Sequence, residues 1–242
     1  MNRPLERVIY IEGGVIMEAN INTQDVGSKK PSLLGMITSP GEQFERMKTK
    51  SPVWGGFFLF LVMGTIFATV AAYLGLINNP DMAKLLKEDT TGIMKGTTLG
   101  IGAFGGLIGT AIGLFVVAGF YKVIMMFMSN DTPYMKILSI YIYANVVFYL
   151  GSLINVVLGY ILGGNGIDKY TSLGPLFEQG TIAYGIGSAF EVFNIWSLIL
   201  TGLGLHIVAG LSKKQATILI CIFFIFTVGF SMLGGMFSGF GA

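Results

Sequence analysis

Long stretches without a charged side chain constrain this sequence more than any other feature. Each is at least as long as the roughly 20 residues that an α-helix needs to cross the hydrocarbon core of a bilayer. Their residues are apolar on all sides, whereas the strands of a membrane barrel alternate between apolar and polar residues. The stretches that contain no Asp, Glu, Lys or Arg are Val53–Ile77, Thr97–Tyr121, Ile137–Ile167, Val192–Ser212 and Gln215–Ala242.

These stretches predict an all-α polytopic membrane protein, built as a bundle of five transmembrane helices behind a short cytoplasmic N-terminal segment. Only 12% of the residues are charged, against roughly 25% in soluble domains. This composition excludes a water-soluble globule. The predicted spans are residues 53–77, 97–128, 135–162, 190–211 and 215–237.

The basic residues predict the orientation of the helices. With a cytoplasmic N-terminus, nine Lys and Arg residues close to the spans lie inside and four lie outside, so the positive-inside rule favours this topology and an extracytoplasmic C-terminus. The net charge of +2 reflects this bias, and no basic surface for nucleic acid is predicted. The inner set is Lys29, Lys30, Arg46, Lys48, Lys50, Lys122, Lys136, Lys213 and Lys214, and the outer set is Lys84, Lys87, Lys95 and Lys169.

The first sixteen residues raise a separate question. Glu12-Gly13-Gly14-Val15 can be encoded by purine-rich codons that contain a bacterial ribosome-binding sequence, at the spacing that initiation at Met17 requires. The hypothesis is that translation starts at Met17 and that the source is a bacterium, which places the protein in the cell membrane. The alternative is a short disordered tail. The predicted domains are a disordered cytoplasmic tail over 1–31, an interfacial amphipathic segment over 32–52 and the transmembrane domain over 53–242.

The segments between the spans carry helix-start signals. Ser39 is predicted as an N-cap, with Pro40 as the first helical residue and Glu42 completing a capping box. The resulting helix has Phe44 and Met47 on one face, which predicts that it lies on the inner membrane surface. Asn79-Pro80-Asp81 predicts a second capped helix outside. The long, partly apolar connection Gly163–Ala189 is predicted to dip into or lie on the outer interface.

Much of the glycine content falls into small-residue seams with a spacing of four. Because small residues allow close helix approach in lipid, these seams predict helix–helix packing within the chain, in preference to a dimer interface. The seams are Gly64, Ala68 and Ala72 in the first span, Gly105, Gly109 and Gly113 in the second with Gly102 and Gly106 as another pair, and Ser231, Gly235 and Gly239 in the fifth.

Two predicted spans carry polar residues on one face. Such groups face the bundle interior, because lipid cannot satisfy them. They are interpreted either as hydrogen-bonded contacts between helices or as a hydrated groove for a substrate or partner. Glu191 is predicted to be interfacial and charged. The polar faces comprise Tyr141, Asn145, Ser152, Asn155 and Gly159 in the third span, and Glu191, Asn194, Ser197, Thr201 and Gly204 in the fourth.

Motifs for catalysis or cofactors are not predicted. Gly100–Gly105 matches the dinucleotide fingerprint by letter, but it lies inside a charge-free span with no strand before it. His206 is the single histidine and Cys221 the single cysteine, and neither has partners at ligand spacing. We therefore expect no metal, no cofactor and no enzymatic activity.

The flanks of the first and fourth spans resemble the bacterial branch of the Yip (Ypt/Rab-interacting protein) family. The resemblance covers roughly Ser32–Phe237, and the Asp-Leu-Tyr-Gly-Pro element of eukaryotic members is missing. Together with the five predicted spans and the cytoplasmic N-terminus, it implies a role like that of the bacterial members that serve as accessory subunits of ABC exporters, which protect against antimicrobial peptides. Phe193, Trp196 and Lys213–Lys214 match the family pattern without an assigned role. The matching segments are Ser39–Phe44, Phe190–Ser197, Gly202–Leu205 and Ser212–Ala216.

The sequence leaves two functions open. The leading expectation is a non-enzymatic assembly partner of a membrane transport complex. Its partners would be the lipid bilayer and membrane proteins such as ABC transporter subunits, with a homo-oligomer as a further option. The alternative is a small transporter or channel that uses the polar faces of the third and fourth spans, where the candidate partner residues are Asn145, Ser152, Asn155, Glu191, Asn194, Trp196, Ser197 and Thr201.

Overall fold

A computed structural model describes residues 30–164, 166 and 168–238 of the chain. Most of these residues are helical, with one short 3-10 turn at Gly174–Leu176 and an isolated antiparallel bridge between Ser172 and Glu191. The predicted start at Met17, the tail before residue 30 and Gly239 lie outside the described residues. The helices are α1 (Gly35–Thr38), α2 (Pro40–Met47), α3 (Trp54–Asn78), α4 (Pro80–Glu88), α5 (Ile93–Phe127), α6 (Tyr134–Ala144), α7 (Val146–Leu162), α8 (Ile182–Ala189), α9 (Val192–Ile207) and α10 (Lys213–Ser238).

Four helical segments are long and apolar enough to cross a membrane. They are α3, α5, the joined pair α6 and α7, and α10. The predicted fourth span at 190–211 corresponds to α9, which has 16 residues and covers about 24 Å at 1.5 Å per residue. It is shorter than predicted because it begins only after Glu191 and ends before the left-handed turn at Gly210.

The N-terminal helices pack on the bundle. Phe44 and Met47 of α2 are fully buried, and a Cβ placed on Gly204 of α9 would come within 2.6 Å of the Phe44 ring. The apolar face of α2 therefore rests on protein, where the sequence predicted lipid. Packing on protein and insertion into lipid both remove the apolar face of α2 from water. The absence of a side chain at Gly204 makes room for the Phe44 ring.

The helix starts are placed as predicted, although one cap differs in detail. Ser39 precedes Pro40 at the start of α2, but its side chain makes no capping hydrogen bond. Glu42 forms an ion pair with Arg46 and so does not close a capping box. At α4, the Asn79 side chain accepts hydrogen bonds from the backbone N–H groups of Asp81 and Met82, at 3.0 and 3.1 Å.

Hydrogen bonds tie the connections together at each end of the bundle. At the end that holds α2, the Asn130 amide donates to the Ala209 carbonyl at 2.9 Å, and Lys122 donates to the Thr132 carbonyl at 3.0 Å. At the opposite end, the Asn78 amide donates to the Gly164 carbonyl at 2.8 Å.

The most extensive helix packing among the described residues lies between α3 and α5. A Cβ on Gly106 would come within 2.7 Å of both the Ala68 Cβ and the Gly64 carbonyl oxygen. A Cβ on Gly102 would come within 2.8 Å of the Ala72 Cβ. Small residues on both helices thus allow their backbones to touch.

The other glycine stripe of α5 has a different environment. Beyond Gly105, Gly109 and Gly113 there is no atom within 4 Å of an added Cβ in the part of the chain that the structure describes. This stripe faces away from α3. In α10, Gly235 packs on α8, where an added Cβ would lie 2.5 Å from the Gly185 Cα.

Candidate site at the break between two helices

Glu191 marks a break between α8 and α9. Its backbone is extended, and its carboxylate accepts hydrogen bonds from the backbone N–H groups of Phe193 at 3.1 Å and Asn194 at 2.5 Å. The side chain therefore satisfies two of the unpaired donors of the first turn and places a negative charge at the positive end of the helix. Although Glu191 is an acidic residue, it is only 3% exposed.

A short polar network connects α7 to this cap through the loop. The Asn155 amide donates to the Thr171 hydroxyl at 2.7 Å, and its oxygen accepts from the Thr171 N–H at 3.1 Å. The Thr171 hydroxyl donates in turn to the Glu191 carboxylate at 2.6 Å. The Val192 N–H also donates to the Thr171 carbonyl, at 3.2 Å. Thr171 thus joins the two helices whose polar residues were predicted from the sequence.

The network lies deeper along α7 than the end of that helix. Asn155 comes seven residues before Leu162, the last residue of the helix, which corresponds to about 10 Å along the axis. One turn further from that end, the Phe193 side chain contacts Gly151, where there is no Cβ to obstruct it. Non-helical backbone at such a depth is tolerated where it is buried in protein or lines a cavity, and the Thr171–Glu191 contact meets that condition.

A cavity of about 250 Å³ opens beside the network. It lies between α3, α7 and the connecting loop, and it combines an apolar wall with a polar end. Phe67, Ala68, Ala71 and Leu74 of α3 and Phe148 and Val156 of α7 form the wall, and the polar end comprises Ser152, Asn155, Asp168, Lys169 and Glu191.

The two charged loop residues at the cavity have different surroundings. One carboxylate oxygen of Asp168 accepts hydrogen bonds from the Tyr184 hydroxyl and the Gln179 amide, each at 2.9 Å. The Lys169 side chain takes part in none of the ion pairs formed among the described residues. The surrounding protein atoms lower the pKa of the Lys169 ammonium, while the Glu191 carboxylate acts in the opposite direction.

Only part of the predicted polar seam comes together in the structure. Asn155 and Glu191 share a network through Thr171, and Ser152 lines the adjacent cavity. The Asn145 amide donates to a carbonyl of α6, the helix that ends just before it, and the Thr201 hydroxyl donates to a carbonyl within α9, each at 2.8 Å. Ser197 provides the carbonyl that accepts the hydrogen bond from Thr201. Asn194 is half-buried. The Trp196 ring stacks on Phe193.

Thr171, Asp168 and Lys169 were not predicted as site residues. They lie in a connection that was interpreted by its glycine and apolar content, so its few polar residues were given no role in a site. The signal that could have found them is their position, since Asp168–Thr171 lies within the connection that was predicted to dip into or lie on the outer interface.

The single histidine and cysteine lie elsewhere. The Nδ1 of His206 is 2.6 Å from the Leu211 carbonyl, at the turn between α9 and α10. Cys221 is exposed on α10. Within the described ranges, no group of three or more His, Cys, Asp or Glu residues is arranged to hold a metal ion.

Comparison with known proteins decides the family. A profile of the Yip1 domain matches residues 34–236. The chain belongs to the Yip1 domain family. The match begins in the turn that leads into α1 and ends within α10, so the Yip1 domain includes both the four long apolar helices and the break at Glu191. The family resemblance found in the sequence is therefore confirmed.

This Yip1 protein is also similar to a curated relative, the membrane protein YknW of Bacillus subtilis (strain 168). The two are 32% identical over 231 residues, which cover 92% of this chain and 98% of the relative. No solved structure matches the chain. The similarity supports a membrane protein over nearly the whole sequence.

Proposed function

We propose that this Yip1 protein is a non-enzymatic, five-span protein of a bacterial cell membrane that acts as an accessory or assembly subunit of a transport complex. The specific form of the proposal is an ABC exporter that protects against antimicrobial peptides. The N-terminus is cytoplasmic and the C-terminus extracytoplasmic.

The fourth span in this proposal is a broken one. α8 and α9 follow each other with only Phe190 and Glu191 between them. Together they cover about 36 Å of helix, enough for a hydrocarbon core of about 30 Å. Broken helices occur in membranes where the freed backbone groups find partners, and Glu191 supplies such a partner. The break thereby supports a crossing that neither helix completes alone.

The open stripe of Gly105, Gly109 and Gly113 is the observation that carries the assembly role. Gly105 and Gly109 are exposed, and their stripe has no packing partner among the described residues. Small residues at a spacing of four drive helix association in lipid, where the hydrophobic effect between helices is lost. A second feature supports the same face. A groove of about 530 Å³ between α5 and α10 is lined by Val116, Phe120, Phe223, Phe226 and Phe230, among others.

The partner prediction is tested by affinity purification and cross-linking from native membranes. We expect subunits of an ABC transporter, identified by mass spectrometry, to copurify with the wild type and to be lost with Gly109→Ile, because a branched side chain blocks close helix approach. Gly100→Ile is the matched control, since Gly100 also faces open space, on another side of α5. Its complex should persist.

Two results would contradict the assembly role. One is recovery of self-contacts alone, which favours a homo-oligomer. The other is retention of the partner by a folded Gly109→Ile variant. If instead Asn145→Leu and Asn194→Leu abolish activity while the partner stays bound, the transporter interpretation replaces it.

Topology is tested separately. A reporter enzyme that is active only outside the cytoplasm, fused after Ala242, should be active, because five crossings from a cytoplasmic N-terminus end outside. The same reporter fused in the connection between α5 and α6, after Asn130, should be inactive. A stable but inactive fusion at Ala242 would overturn the five-span arrangement.

A further inference from the structure

The cavity beside the Glu191 network has the shape and the two-sided lining of an amphiphile site. Its apolar wall includes Phe67, Ala71 and Leu74, on the half of α3 that leads to Asn78. Its polar end is formed by loop residues and by Asn155. A volume of about 250 Å³ corresponds to roughly eight water molecules in the liquid. This space suits a headgroup, while longer chains would have to lie outside.

The loop that covers the cavity is held against α3. The Asn78 amide donates to the Gly164 carbonyl at 2.8 Å. Two residues later, Gly166 approaches so closely that an added Cβ would overlap the Ala71 carbonyl. Gly166 also has a φ of +80°, which favours glycine. The loop therefore holds Asp168 and Lys169 at the polar end.

The polar end carries two carboxylates and one ammonium, and both carboxylates already accept hydrogen bonds from other groups. Glu191 already accepts three hydrogen bonds, from the Thr171 hydroxyl and two backbone N–H groups. Asp168 accepts from Tyr184 and Gln179. Lys169 lines the cavity, remains accessible to solvent and makes none of the ion pairs among the described residues.

We propose that this cavity binds the phosphate headgroup of a membrane phospholipid, with the phosphate on the Lys169 ammonium and the adjoining acyl carbons against Phe67, Ala71 and Leu74. A phosphate oxygen accepts a charge-assisted hydrogen bond from the Lys169 ammonium, while the Glu191 and Asp168 carboxylates accept from Thr171 and Tyr184. The apolar wall contacts the acyl carbons of a lipid, and a free phosphate ion has no such carbons to place there. The loop end of the cavity lies where α7 ends, so the lipid comes from the leaflet on that side, which is the outer leaflet in the proposed topology. The site does not depend on the proposed assembly role.

The test uses the full-length protein, purified in detergent and stripped of lipid. Phosphatidylglycerol, diacylglycerol and glycerol phosphate are added separately, and both the thermal unfolding midpoint and the lipid bound are measured, the latter by native mass spectrometry. The variants are Lys169→Ala and Lys169→Arg, with Lys87→Ala as control, because Lys87 is an exposed lysine on α4, outside the cavity.

We expect phosphatidylglycerol to raise the unfolding midpoint of the wild type, Lys169→Arg and Lys87→Ala. Lys169→Ala should bind it about tenfold more weakly, the usual effect of losing one charge-assisted hydrogen bond. Equal binding by Lys169→Ala, or an equal shift with diacylglycerol, would refute the site. A full shift with glycerol phosphate alone would refute the lipid and assign the cavity to a soluble phosphate.

Discussion

Replacement of Glu191 by alanine should cause the largest loss of stability of any single substitution in the polar network. The change removes the cap of α9 and leaves the Thr171 hydroxyl and two backbone N–H groups without their acceptor. A lost cap costs about 1 kcal/mol, and each buried group left unsatisfied costs about 1–3 kcal/mol. The cap already accounts for the two backbone N–H groups, so adding the Thr171 hydroxyl gives an expected total loss of roughly 2–4 kcal/mol, measured as the free energy of unfolding in detergent.

Two companion variants define this effect. Glu191→Gln keeps an oxygen acceptor at the cap and should lose less than the alanine variant. Glu178→Ala removes an exposed carboxylate from the same connection and should change stability by less than about 0.5 kcal/mol. If Glu191→Ala and Glu178→Ala unfold at the same midpoint, the network does not stabilise the break.

Adding one methyl group to α5 should have opposite effects at two adjacent glycines. In Gly106→Ala the new Cβ meets the Gly64 carbonyl oxygen and the Ala68 Cβ at 2.7 Å, and the backbone oxygen cannot yield unless α3 moves. Overpacking of this kind costs about 1–3 kcal/mol. In Gly105→Ala the Cβ enters open space, and the better helix propensity of alanine stabilises by up to about 1 kcal/mol.

The measurement is the thermal unfolding midpoint of the two single variants and of the wild type in the same detergent. Gly106→Ala should melt below the wild type, and Gly105→Ala at or above it. A Gly106→Ala protein that is as stable as Gly105→Ala would show that α3 and α5 do not pack through this seam.

The sequence was sufficient to predict the long helices, since their lengths and lack of charge follow directly from the bilayer. It could not show which of two neighbouring glycine pairs on α5 packs against α3. Gly102 with Gly106, and Gly105 with Gly109, have the same spacing, and only the rotation of α5 against α3 decides which pair is packed. That rotation is set by contacts far apart in the chain, such as Ala68 with Gly106.

The candidate site was predictable in part for a related reason. Asn155 and Glu191 stood out as polar residues near apolar spans. Thr171 did not, because a threonine in a loop is ordinary until a helix break brings it to a buried carboxylate. The same break explains why α9 starts at Val192 and not at the predicted residue 190, since Glu191 caps the helix with an extended backbone.

The length of α5 has a consequence for the bilayer itself. Its charge-free part, Thr97–Tyr121, has 25 residues and is about 37 Å long, several ångströms more than an average hydrocarbon core. A helix with this positive hydrophobic mismatch tilts or thickens the surrounding lipid. Because α3 is locked to α5 through Gly102 and Gly106, the pair has to tilt as one body. Membrane thickness thereby sets the slope at which the open glycine stripe is presented to a neighbouring helix.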